Sequence, residues 1–208
     1  MKKLLLLAIV FLNLTHSFCQ SLKRNIGESA EKFLVRTITT ENSKITGKVI
    51  ETKWNSETVI FAFVAVEEIQ KNGTEKYVET NVEGYVFIPI SENLYRKVLI
   101  DSYGEEGAVA EIESVFSSNA DKDNQKELII LCSWDQNRHR VPISGKLFQV
   151  WVYDNVVLNK IPEKLKSLND LERLFAGEFD GTNDAGETSK AKYTNAAKIK
   201  QRLKQLGF

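Results

Sequence analysis

Between Asn119 and Glu127 the chain reads Asn-Ala-Asp-Lys-Asp-Asn-Gln-Lys-Glu, which places side-chain oxygens at loop positions 1, 3, 5 and 9: Asn119, Asp121, Asp123 and Glu127. Calcium takes about six to eight oxygens at roughly 2.3–2.6 Å. Alternate residues of a tight loop aim side chains inward, while the carbonyl at position 7, here Gln125, adds another oxygen. Asn124 stands at position 6, where a sharp turn favours glycine, and asparagine is the next most tolerant of the left-handed region. Lys122 and Lys126 offset part of the charge of the three carboxylates. The spacing marks a candidate calcium loop with ligands Asn119, Asp121, Asp123, Gln125 and Glu127. The alternative is a polar hairpin loop of the same shape that holds no ion.

With those residues in view, the run resembles the calcium loop of FG-GAP or VCBS-type repeats, found in integrin-like propellers and exported bacterial proteins. Their pattern is Asp-x-Asp-x-Asp-Gly-x-x-Glu/Asp-Leu before a strand. Asn119, Asp121, Asp123, Glu127 and Leu128 match, with Asn119 in place of the first aspartate and Asn124 in place of the glycine. The likeness covers residues 119–131 in a single copy. It implies a calcium ligand set, and the lack of further copies argues against a propeller.

Other residue groups carry weaker chemistry. Asp101, Glu105, Glu106, Glu111 and Glu113 could supply the carboxylate pair of a glycosidase-like hydrolase, although acids on loops and exposed strand faces ordinarily serve solvation. Cys132 and His139, seven residues apart, could form a nucleophile pair, but Cys132 lies in the apolar run Glu127–Trp134, where a thiol packs as a small core residue. Trp54, Trp134 and Trp151 read as core before they read as a sugar platform. Lys190, Lys192, Lys198, Lys200, Arg202 and Lys204 follow the last acid, Glu187, and suit the C-terminal end of a helix dipole or an anionic partner. No phosphate loop, dinucleotide fingerprint, Gly-x-Ser-x-Gly or His-Glu-x-x-His is present.

The elements that must position these residues are mainly strands. From Ile45 apolar residues alternate for about a hundred residues. Thr58–Val66, Lys126–Trp134 and Leu147–Tyr153 are apolar on both faces, which predicts central strands covered on both sides. Ile45–Trp54, Glu75–Thr80, Gly84–Ile90, Leu94–Asp101 and Ala108–Phe116 complete the series. Asn72-Gly73 marks a hairpin turn, and Pro89 hints at a sheet edge.

Residues 20–44 read as a polar arm or short helix, with Ala30, Phe33, Leu34 and Ile38 on one side. Pro162 and the leucines 165, 168, 171 and 174 predict a helix over 163–175. Residues 180–191 read as a flexible loop, and Thr194–Leu206 as a last helix stopped by Gly207. The fold class expected is α+β: an antiparallel sheet of about seven to nine strands with two C-terminal helices packed on it, in one domain over 45–208 whose helical part is 156–208.

Lys2 and Lys3, the apolar run Leu4–Leu12 and the small residues Ser17 and Cys19 predict a secretory signal peptide over 1–19, with Gln20 as the mature N-terminus. The run is shorter than the roughly 20 apolar residues of a membrane span. Its ending, Ser17-Phe18-Cys19-Gln20, resembles the signal peptides of exported Bacteroidetes-type bacterial proteins. Lipidation of Cys19 is the alternative, although His16-Ser17-Phe18 departs from a lipobox.

The 208 residues carry 28 basic and 28 acidic side chains, so charge gives no reason to expect nucleic acid as a partner. The reading is a periplasmic or secreted module, non-catalytic, that binds a glycan or protein surface, with the 119–127 loop as a candidate structural-calcium site beside its ion-free alternative. A small carboxylate-based hydrolase is the alternative.

Overall fold

The computed structural model describes residues 21–73, 75–137 and 143–208. The expected signal peptide, Cys19, Gln20 and His139 lie outside the described residues. Ten strands form two five-stranded antiparallel sheets. The first sheet contains β1 (Ser21–Lys23), β2 (Ser43–Trp54), β3 (Glu57–Asn72), β4 (Glu75–Ser91) and β5 (Leu94–Tyr103), in the order β1-β5-β4-β3-β2. The second contains β6 (Glu111–Ser118), β7 (Glu127–Asp135), β8 (Ser144–Tyr153), β9 (Glu178–Thr182) and β10 (Thr188–Ser189), in the order β10-β9-β8-β7-β6.

The doubly apolar strands explain the layers. In β3, Val59, Phe61 and Phe63 meet Leu128, Ile130, Cys132 and Trp134 of β7 in a core between the sheets. Their alternates face outward. Ile60 and Ala62 pack under α1 (Ala30–Ile38) through Phe33 and Leu34. Ile129 and Leu131 pack under Phe175 and under Ile199 and Leu203 of α3 (Ala196–Leu206). Two sheets face to face, each with helix on its outer side, satisfy strands that have no solvent face. β3, β7 and β8 are all interior strands.

Mainly antiparallel sheet with packed helices is therefore the architecture, with departures from the expectation. Among the described residues ten strands are divided between two sheets, where the expectation is about seven to nine in one sheet. Of the two readings of residues 20–44, the short helix forms, as α1 (Ala30–Ile38), and the described part of the segment is docked: β1 pairs with β5 at the sheet edge, and Phe33 and Leu34 are fully buried. A three-residue strand is too short to show a period.

The helix expected over 163–175 shrinks to α2 (Asn169–Glu172) and a single 3-10 turn, Arg173–Phe175. Residues 163–168 are not helical, because they hydrogen-bond both sheets. Leu99 N–H reaches the Glu163 carbonyl and Leu165 N–H the Leu99 carbonyl on one side, and Leu168 N–H reaches the Val152 carbonyl on the other. Leu165 enters the inter-sheet core while Leu168 joins the outer layer, so their three-residue spacing imitates a helix without making one. Residues 180–191, expected as a loop, contain the end of β9 and all of β10. β4 is central, yet Pro89 sits where β4 has outrun its last pair with β3, Ile60↔Phe87, so no ladder bond to β3 is lost there.

Candidate metal centre

The β6–β7 hairpin carries the loop. Its last cross-strand pair is Ser118↔Glu127, which makes 119–126 the connection and Glu127 the first residue of β7. Alternation along β7 turns Glu127 to the face of Ile129 and Leu131, and the residue is completely buried. Glu127 Oε2 accepts the Ala120 N–H at 2.5 Å. Oε1, equally buried, has no hydrogen-bond partner among the described residues. Burial pushes this carboxyl above the usual range, the N–H groups of Ala120 and of Glu127 itself pull it back, and the charges of Asp121 and Asp123 push it up again.

The loop is folded by its own aspartates. Asp121 Oδ1 accepts the Asp123 N–H at 2.8 Å and Asp123 Oδ1 accepts the Gln125 N–H at 2.6 Å, two successive Asx turns. Asn119 Nδ2 donates to the Asp123 carbonyl at 3.0 Å, and its Oδ1 is left buried without a partner among the described residues. Asp121, Asp123 and Glu127 each present a carboxylate oxygen, and these oxygens lie within 4.8 Å of one another. Oxygens on opposite sides of a calcium ion stand about 5 Å apart, so all three fit a single shell. Of the five expected ligands, the structure gathers these three carboxylates and ties Asn119 across the loop. Gln125 takes part through its N–H, and its side chain is exposed.

Three residues outside the motif hold the loop in place. Asn55, at φ 55° in the β2–β3 turn, accepts the Lys126 N–H at 2.8 Å and donates to the Lys126 carbonyl at 3.2 Å. The Trp54 indole N–H reaches the same carbonyl at 2.7 Å. Asn155, just past β8, donates to Asp123 Oδ2 at 3.3 Å. The first sheet thus grips the residue beside Glu127. An asparagine in a turn is a visible sequence signal, but its partner 71 residues away is not.

No protein-family model, curated protein or solved structure matches this chain.

The remaining candidates have contacts of their own. Lys146 Nζ stands between Glu111 Oε2 at 2.6 Å and Glu113 Oε1 at 3.4 Å. These two line a surface depression of about 290 Å³ with Thr46, Gly47, Ala110 and Ile112. Asp101 pairs with Lys164 at 2.6 Å and accepts the Tyr153 hydroxyl at 3.1 Å. Glu105 accepts the Thr80 N–H, and the Glu106 carbonyl accepts from Gln136.

Cys132 is fully buried, and burial pushes its thiol well above the ordinary range. Trp54 and Trp134 are core, and the Trp151 ring packs edge-on against Tyr103. In the basic C-terminal run, Lys192 pairs with Glu178 and Lys200 lies over the Phe116 ring. Among the described residues no helix is long and apolar enough to cross a membrane.

Proposed function

We propose that the protein is an exported, non-catalytic binding module whose 119–127 loop holds a structural calcium ion. The observation that carries this reading is Glu127: a fully buried carboxylate with one unpartnered oxygen, in a group whose two other acids come within 4.8 Å. Leaving a buried charged acceptor unpaired costs upwards of about 1–3 kcal/mol. A hard cation with oxygen ligands removes that cost and the repulsion together.

Asn119 Oδ1, the second unpartnered buried oxygen in the loop, is a neutral ligand of the same kind. Asp123 is exposed, which leaves that side of the shell to water. The ion's part is architectural: through Lys126 it ties the β6–β7 loop to the Trp54-Asn55 turn and so holds one end of the two sheets together. The binding partner is a glycan or protein surface met outside the cytoplasm.

Calorimetric titration of the chelator-stripped protein with calcium tests the metal reading. A single site that disappears in Asp121→Ala/Asp123→Ala supports it, and no heat of binding at millimolar calcium refutes it. Magnesium binds more weakly, because its smaller octahedral shell gives up water reluctantly. Mass spectrometry of the exported form tests the compartment: an N-terminus at Gln20 supports it, and a retained Met1 or a lipid on Cys19 refutes the cleavage.

A further inference from the structure

The β3–β4 hairpin runs past both of its neighbours. β2 accompanies β3 only to Ser43↔Val66 and β5 accompanies β4 only to Val82↔Tyr103, whereas β3 and β4 stay paired out to Asn72↔Glu75. Residues 67–72 and 75–80 therefore form a two-stranded ribbon whose two edges have no strand partner among the described residues. Opposite residues of an antiparallel pair share a face. Glu67↔Thr80, Ile69↔Val78 and Lys71↔Lys76 line one face in that order from base to tip. Ile69 is 71% exposed and Val78 58%. The face is thus acidic at its base, where Glu105 also reaches the Thr80 N–H at 3.4 Å, apolar in its middle and basic at its tip.

We propose that this ribbon is a dimerisation arm, pairing edge to edge through β4 with the same ribbon of a second copy, antiparallel about a two-fold axis at Val78. The charge order selects the partner and its direction. An antiparallel copy lays the basic tip of each ribbon beside the acidic base of the other, and a parallel copy would set like beside like.

Backbone direction selects the edge. The Glu67 N–H points outward to the Asn42 carbonyl at 3.0 Å and the Thr80 N–H outward to Glu105, so odd residues of β3 and even residues of β4 face the open edges. On β3 the base of that edge is occupied by Asn42. On β4 the backbone of Lys76 and Val78 faces out beyond the end of β5, and Thr80 carries only the long Glu105 contact.

With Val78 opposite the second copy's Val78, Lys76 falls opposite the second copy's Thr80 and beside its Glu105. The two copies then make one apolar row, Ile69-Val78-Val78-Ile69. On the other face Tyr77 meets Glu79 and Glu75 meets Asn81, so no like charges oppose. Unpaired strand edges invite this kind of addition, and the arm carries no proline to prevent it.

Cross-linking and sedimentation of the full chain, in a Cys19→Ser background, test the arm. Directly opposed residues of a hydrogen-bonded antiparallel pair have Cα atoms about 5.5 Å apart, within disulfide reach. Val78→Cys therefore cross-links to a covalent dimer on mild oxidation. Ile69→Cys does not, lying three strand spacings, roughly 14 Å, from its counterpart.

The result expected from sedimentation is a concentration-dependent dimer. Val78→Lys sets like charges opposite each other on the axis and raises the dissociation constant about tenfold or more. Val78 is exposed in the monomer, so the variant's circular dichroism is unchanged. Three results would overturn the arm: a protein monomeric at about 100 µM, a dimer indifferent to Val78→Lys, or cross-linking through Ile69 and not Val78.

Discussion

Replacing Glu127 with glutamine separates a loop built for a cation from one that merely has its shape, because the two readings give opposite signs. In chelator at neutral pH the wild-type chain buries a carboxylate that receives one N–H, from Ala120, and leaves Oε1 unpartnered among the described residues beside two more acids. The amide keeps the Ala120 bond and removes the buried charge together with its repulsion from Asp121 and Asp123. Relief of one buried unsatisfied acceptor amounts to about 1–2 kcal/mol. For a domain of this size that is roughly 2–8 °C in melting temperature.

In calcium the order reverses. Wild type gains about 1.4 kcal/mol at ten times Kd and about 2.7 kcal/mol at a hundred times Kd, whereas Glu127→Gln has lost its buried carboxylate ligand and gains little. Thermal melting monitored by circular dichroism, with chelator and with millimolar calcium, gives the four values needed. Should Glu127→Gln melt below wild type in chelator, Glu127 is satisfied as a structural carboxylate and the argument from its unpaired oxygen is wrong. Equal calcium shifts in both proteins would place any bound ion elsewhere.

Asn55→Gly keeps the φ 55° turn and deletes both bonds to Lys126; it should cost about 1–2 kcal/mol by thermal melting and weaken calcium several-fold in calorimetry, whereas unchanged affinity would uncouple the two sheets from the ion. Glu28 accepts two bonds from Arg36, at 2.9 and 2.7 Å, and the Asn25 N–H at 2.9 Å, which hold its carboxyl down at about 2 from an ordinary 4.5. A lowered folded value means stability present above pH 4.5 and lost as pH falls through 2, so Glu28→Gln should flatten the acid limb of the stability curve in that window, and carboxyl NMR should show Glu28 titrating near 2. Gly145→Ala drives a Cβ into the Asp180 carbonyl and the Gly181 Cα across the β8–β9 pair; thermal melting should show a loss of about 1–3 kcal/mol, and a neutral result would mean that β9 yields freely.

What the sequence reveals here follows from how far each signal reaches along the chain. The double apolar alternation of Thr58–Val66 and Lys126–Trp134 is a demand for cover on both faces, and it places β3 and β7 inside their sheets. It does not say what covers them, so the division into two sheets stays invisible: Phe61 and Ile130 read as core, but not as each other's core. The strap over 163–168 fails for a sharper reason. Its leucines recur at helical spacing because one must enter the inter-sheet core and the next the outer layer, and a segment that crosses from β5 of one sheet to β8 of the other satisfies both.

The loop shows the same division. Asp121, Asp123 and Glu127 are legible because their spacing is local and their convergence is dictated by the turn. Asn119 is legible only as an oxygen: its side chain binds back across the loop. Asn55, Trp54 and Asn155, which fix the loop against both sheets, sit at separations that no periodicity links. In the proposed calcium loop they would set how rigidly the carboxylates are held, so the strength of ion binding would depend on contacts lying outside the motif that announces the site.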